Sequence, residues 1–257
     1  MKTELPRKSF VLAGIALAGL DQGWVVTPAH AGLITYETPP GSKVPPSPGQ
    51  PVSASATFTT SANTLTIGLN DLLANPTDIG QLLSDLSFTL GNGGSLTGAT
   101  ETAASSAEIT VAGNGSFTGP TPISGVAVVG WPFAVNSATA GTLDVLVGPG
   151  HAGPAHLIIG PPGAGGTYSA ANGSIAGNGA HNPFLFESAT FTITGAGITA
   201  DTTITSATFS FGTTRGVDVP GVMVPEPSSL VLCLSGVSLA GMIGIYRKWR
   251  GRRAVSA

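Results

Sequence analysis

A single cysteine in 257 residues leaves no disulfide framework and no cysteine-based zinc site, so stability has to come from backbone pairing and apolar burial. Charge is also scarce. Asp, Glu, Lys and Arg make up 9% of the chain against the usual quarter, which argues against both a charge-rich disordered polymer and an ordinary cytosolic enzyme. Aromatic residues reach only 6%, whereas glycine (37) and proline (20) are abundant. That balance fits short elements joined by many turns.

Position matters more than sum for the few charges. Lys2, Arg7 and Lys8 stand at the front, and Arg247, Lys248, Arg250, Arg252 and Arg253 at the back; only Lys43 and Arg215 lie between. Gly32 to Val224 carries ten acidic residues against those two, a net charge of −8. Nucleic-acid binding is excluded, because phosphate neutralisation needs clustered Lys and Arg.

Residues 1–31 have the layout of a secretory signal: a basic start, the apolar run Phe10–Leu20, and Ala29-His30-Ala31 as a small-x-small cleavage site, with Ala29 and Ala31 the recognised residues. The apolar run is about 11 residues, short of the roughly 20 that span a bilayer. The mature chain is expected to begin at Gly32.

The far end differs. Ser228–Tyr246 has no charge over 19 residues, which at about 1.5 Å each gives roughly 28 Å, close to the hydrocarbon thickness. Five basic residues follow, and the positive-inside rule puts them in the cytoplasm and everything before Ser228 outside. Cys233 reads as a small membrane-buried hydrophobe. Before this segment, Pro225 and Pro227 fix the backbone on either side of Glu226, presenting an extended peptide that suits a protease groove.

This order of Pro225-Glu226-Pro227, apolar helix and basic tail resembles the PEP-CTERM sorting signal of Gram-negative bacteria. In that family a membrane-embedded cysteine transpeptidase-like enzyme, exosortase, recognises the tail, and the protein passes to the cell surface or exopolysaccharide matrix. The resemblance implies that Pro225, Glu226 and Pro227 are recognition residues, that Arg247, Lys248, Arg250, Arg252 and Arg253 anchor the cytoplasmic side, and that the partners are the secretion machinery, exosortase and exopolysaccharide. Thr64–Leu90 and His181–Gly212 are similar to segments common in surface proteins with this tag, a likeness that carries no activity.

Between the addresses, residues 32–52 hold six prolines and read as an extended lead-in, and 53–223 as the folded ectodomain, with 224–257 the sorting tail. Apolar residues recur with period two at Ser53–Thr59, Leu65/Ile67/Leu69, Leu86/Phe88/Leu90, Ile109/Val111, Val126/Val128, Leu143/Val145/Val147, Phe191/Ile193 and Phe209/Phe211. Asn92-Gly93, Asn114-Gly115, Asn172-Gly173 and Asn178-Gly179 are hairpin-closing dipeptides. In Asp71–Asp85, Thr77 can cap a short helix through Leu83, while Pro76 prevents a longer one. The expected fold is all-β, an antiparallel two-sheet sandwich followed by one transmembrane helix, with a β-solenoid as the alternative.

Chemistry is thin in this body. His151, His156 and His181 lack helical metal-ligand spacing. No serine has the Gly-x-Ser-x-Gly setting of a hydrolase elbow. Glu101, Glu108, Asp144, Glu187, Asp201 and Asp218 offer many carboxylate pairs and no distinguished one. Neither the EF-hand loop nor the acidic glycine nonapeptide of calcium sites occurs, and Gly160–Gly166 lacks the Lys and Ser/Thr of a phosphate cradle. Asn114-Gly115-Ser116 and Asn172-Gly173-Ser174 match glycosylation sequons and read as turns. Trp131 either plugs the core or, if exposed, stacks on a sugar. No cofactor is expected, and the body reads as non-enzymatic, with a carbohydrate-binding or adhesive module and a secreted hydrolase as alternatives.

Overall fold

The computed structural model describes residues 32–45 and 49–225. The signal segment with Ala29 and Ala31, Glu226 and Pro227, the span Ser228–Tyr246 and the basic tail lie outside the described residues. The strands are β1 (Leu33–Glu37), β2 (Lys43–Val44), β3 (Gln50–Pro51), β4 (Ala54–Ser61), β5 (Thr64–Asp71), β6 (Leu83–Gly91), β7 (Thr100–Val111) and β8 (Phe117–Ser124). After a helical turn, α1 (Val126–Val129), come β9 (Phe133–Val135), β10 (Ala140–Asp144), β11 (Ile158–Ile159), β12 (Phe184–Thr194), β13 (Thr203–Phe211), β14 (Asp218–Pro220) and β15 (Val222–Val224). Among the described residues no helix is long and apolar enough to cross a membrane.

The body is β-rich, as the period-two pattern predicts, but its strands belong to one large mixed sheet in place of two separate antiparallel ones. Thirteen strands are hydrogen-bonded along the path β14-β13-β6-β11-β12-β5-β4-β1-β15, with β10, β9, β7 and β8 attached at its sides, and β2 and β3 form a separate ribbon. The short strand β11 bridges the halves, pairing parallel with β12 and antiparallel with β6. The solenoid alternative is not what is seen, since nearly all other pairings are antiparallel and the strand order has no repeating step.

The sheet is folded over on its apolar side. Phe58 of β4 meets Phe88 of β6 with ring centroids 5.5 Å apart, and Tyr36 of β1 packs edge-on against Phe58 at 6.2 Å. The Tyr36 hydroxyl donates to the Ile204 carbonyl of β13 at 3.0 Å, so this polar tip carried into the core is satisfied. Phe58, Leu65, Ile67, Leu69, Leu86, Phe191, Ile193 and Phe209 are fully enclosed. Each such side chain contributes about 1.5–3 kcal/mol by leaving water.

The ends of the path are consecutive in sequence. β14 pairs with β13, and β15, one residue later, pairs with β1, so Asp218–Val224 joins the two ends of the folded sheet without closing a barrel. Gly221 makes the crossing. A Cβ there would lie 2.9 Å from the Phe209 ring, 3.1 Å from the Ala207 carbonyl oxygen and 3.3 Å from the Tyr36 Cβ.

Several local expectations are corrected. Leu33–Glu37, assigned to the lead-in, is a strand with partners on both sides, because it precedes Pro39, the first proline of that stretch, and places Tyr36 in the core. The sheet also reaches Val224, one residue into the segment assigned to the tail. Val126–Val129 is helical; Gly125 and Gly130 bracket it at positive φ, and the left-handed Gly130 caps it by donating to the Val126 carbonyl. The helix expected through Leu83 is a single 3-10 turn, Ile79–Gln81, with Leu83 already in β6, and it is capped by Asp78 in place of Thr77: Asp78 Oδ1 accepts from the Gly80 N–H, while Gln81 Oε1 collects the Thr77 and Asp78 N–H groups. The strand through Leu143 stops at Asp144, whose Oδ1 accepts from the Leu146 N–H and turns the chain. Asn114-Gly115 closes the β7–β8 hairpin, whereas Asn172-Gly173 and Asn178-Gly179 fall within the long excursion between β10 and β12. The turn at Asn63, which closes β4–β5 with φ of 61°, carried no Asn-Gly signal.

Gly221→Ala is expected to cost about 1–3 kcal/mol, because Phe209 and two backbones crowd the new methyl. Urea unfolding of the folded body checks this; an unchanged midpoint would contradict the crossing.

Candidate functional site

A cleft of about 260 Å³ opens on the outer face of the β6–β10 half. Its floor follows from strand register. Asp144 of β10 stands directly opposite Asp85 of β6, Asp85 opposite Ser210 of β13, and Ser210 opposite Asp218 of β14, so four polar side chains share one face in one row. Like charges in adjacent cross-strand positions repel, and the surroundings manage this. Arg215 Nε lies 3.1 Å from Asp144 Oδ2, with Asp144 enclosed and Arg215 largely in solvent. The Ser210 hydroxyl donates to Asp218, and Ser87 donates to Asp85 Oδ1 at 3.3 Å. Asn136 Nδ2 reaches the Thr142 hydroxyl at 2.6 Å, and Pro132 and Val147 line the cleft's apolar side.

Asp85 is the perturbed group. Burial, then the neighbouring Asp144 and Asp218, push its carboxyl up to about 7, with Ser87 and Arg215 opposing. A half-buried carboxyl titrating near neutrality beside an arginine-paired carboxylate can accept or donate a proton or hydrogen-bond a polyol hydroxyl.

Two other carboxyls are raised by desolvation. Both oxygens of Glu101 are buried without hydrogen-bond partners and its carboxyl moves up to about 7; the nearby Phe133 N–H tempers the shift without meeting hydrogen-bond geometry. Asp71 is enclosed at the end of β5, where its Oδ1 accepts from the Leu73 N–H and its Oδ2 has no partner, and its carboxyl stands well above the usual range. Asp78 moves the other way despite burial, held down by the Gly80 N–H and by Asn172.

The histidines are not gathered. His151 is exposed on a loop, and His181 Nδ1 contacts the Ser174 carbonyl. His156 is buried at φ 59°, with Nδ1 3.0 Å from the Val129 carbonyl and Nε2 2.8 Å from Glu108 Oε1. This ties the loop to α1 and β7. Among the described residues no three His, Cys, Asp or Glu side chains form a set able to hold a metal ion.

Trp131 is corrected as a stacking residue. It is fully buried, its Nε1 donates to the His156 carbonyl at 2.8 Å, and its ring packs on Phe191 at 5.7 Å, so neither face meets a ligand. Asn114 and Asn172 each accept from the N–H and hydroxyl of the serine two residues on, the turn reading of both sequons. Gly160–Gly166 is a loop, with Gly163 donating to Thr167 and Gly166 to Gly163. Of the carboxylates singled out in the sequence, Asp144 and Asp218 enter the row; Glu101, Glu108, Glu187 and Asp201 do not. Pro225 is exposed just past β15. Asp85 and Arg215 were missed as site residues, although an acid inside an alternating apolar strand and the sole arginine of the body were signals available in the sequence.

Raised carboxyls stabilise the fold while protonated. Asp85 in the unfolded chain titrates near 4 and in the folded chain near 7, so its contribution is full below about 4 and lost as pH rises through about 7. Glu101 acts in the same direction. The urea midpoint is therefore expected to fall from pH 5 to pH 8, and Asp85→Asn to regain roughly 1–2 kcal/mol at pH 8 with little change at pH 5. A variant equally affected at both pH values would refute the assignment. Compared with known proteins, the chain matches no family model, no curated protein and no solved structure, so its site is read from its own chemistry.

Proposed function

We propose that this chain is an exported, non-enzymatic surface protein whose body is a two-layer β-sandwich of mainly antiparallel strands. The secretion machinery carries it across the inner membrane, the Ser228–Tyr246 helix holds it there with Arg247, Lys248, Arg250, Arg252 and Arg253 in the cytoplasm, and exosortase reads Pro225-Glu226-Pro227. The product is then passed to the cell surface or the exopolysaccharide matrix. The observation that carries the reading is the position of the motif: among the described residues sheet pairing ends at Val224, so the motif begins at the residue that follows the last strand. A two-proline peptide leaving a fixed strand keeps an extended form with little further ordering cost.

Replacing Pro225, Glu226 and Pro227 together by alanine is expected to leave the full-length chain in the inner membrane, seen by intact mass and cell fractionation. Unchanged processing and localisation would overturn the sorting reading.

The cleft at Asp85 favours one second reading, a carbohydrate-contacting module. Sugar hydroxyls suit Asp85, Asn136 and Arg215, and Pro132 and Val147, not Trp131, supply the apolar lining. On this reading Arg215→Ala lowers retention on purified exopolysaccharide several-fold while Trp131→Phe does not; equal retention of Arg215→Ala and the native protein removes it.

A further inference from the structure

Strand register gives this body a polar axis. β1 and β15 pair antiparallel with Thr35 opposite Val224, so the chain enters at Leu33 and leaves after Val224 at the same end of the same strand pair. The turns around that end are stitched together. Thr60 N–H donates to the Gly32 carbonyl, the Thr60 hydroxyl to the Thr202 carbonyl, Asn63 N–H to Ile198, Ser95 N–H to Gly197, and Leu96 N–H to Ala138.

Charge is distributed along this axis. The turns 61–64, 91–99, 136–139 and 195–202 contain no Lys or Arg and a single acid, Asp201. Glu101, near the start of β7, has both carboxyl oxygens buried. The other acids of the body fall towards the opposite end, Glu37, Asp71, Asp85, Asp144, Glu187 and Asp218 among them, together with both cations, Lys43 and Arg215. Leu33 on β1, Val135 on β9 and Met223 on β15 are exposed by 46%, 43% and 58% beside the uncharged turns and along the exit strand; Leu72 and Val147 are exposed at the acidic end, so it is the charge that distinguishes the two.

We infer that this uncharged end is a membrane-facing surface that lies against lipid headgroups, with the acidic end and its Asp85 cleft pointing away from the bilayer. The inference rests on the anchored-export reading above and adds an orientation to it. The tether sets the distance: from Val224 to Ser228, where the apolar span begins, four residues reach at most about 14 Å even fully extended. That length holds the end of the sheet at the headgroup layer, where acidic groups meet repulsion from anionic lipids and apolar side chains find partial burial. An acid-rich end tethered so closely would be driven off the surface; the turns of this end offer one exposed acid, Asp201, and the tether adds only Glu226.

The test uses the full-length protein carrying Cys233→Ser and one new cysteine, either Ala62→Cys in the β4–β5 turn or Ala180→Cys in the exposed loop at the opposite end. Each is labelled with a fluorophore and reconstituted in phosphatidylethanolamine–phosphatidylglycerol vesicles containing lipid spin-labelled at the headgroup. The label at 62 is expected to be quenched several-fold more than the label at 180. Equal or reversed quenching in protein that floats with the vesicles overturns the orientation and leaves the anchor reading standing. Protein that does not float overturns both. Quenching at 62 that follows protein density and ignores the spin label assigns the surface to a second copy of the chain and also overturns the inference.

Discussion

The contact on which this fold depends is that between Phe58 and Phe88, where one hydrogen-bonded sheet is turned over on itself and its halves meet. A chain with few charges and no disulfide has only apolar burial and backbone pairing to set against its conformational entropy. Folding a continuous sheet over an aromatic core supplies both, and the remaining features follow from that geometry. Tyr36 can reach the Ile204 carbonyl only because β1 lies over β13. Asp218–Val224 can serve both ends of the path only because those ends have been brought within one residue of each other.

The strands that were legible in the sequence are those with one face in this core. Leu65, Ile67 and Leu69 in β5, and Leu86, Phe88 and Leu90 in β6, alternate with polar residues because the pleat alternates faces. What failed to read was non-local. Leu33–Glu37 has a weak pattern and looked like lead-in, yet strands far along the chain make it part of the sheet. Val126–Val129 has strand-like residues, and its two flanking glycines decided otherwise. The candidate cleft was hidden for a similar reason: Asp85, Asp144 and Asp218 are dispersed in sequence, and only the register of β6, β10, β13 and β14 aligns them. Trp131 stood out by composition, and its single polar atom turned out to serve the His156 carbonyl inside the core.

The same topology separates the molecule's two chemical regions. The start of β1 and the end of β15 meet at turns rich in Thr, Gly, Ser and Ala, while the carboxylates collect where β5, β6, β10 and β14 have their opposite ends. On the proposed export reading such a division is useful, since the end nearest the lipid would need neutrality and the distal end would be free to carry charge. The seam between β1 and β15 keeps the two ends in register, because it fixes Pro225 beside the N-terminal strand.

The most direct test of this account is native-state hydrogen exchange of the folded body, followed by mass spectrometry. If the seam is part of the cooperative core, peptides covering Leu33–Glu37 and Val222–Val224 will exchange with the same opening free energy as those covering β4 and β6. Exchange of those two segments at a much lower free energy, with β4 and β6 still protected, would show a frayed edge and contradict the claim that the first and last strands of the body are locked together at one end of the fold.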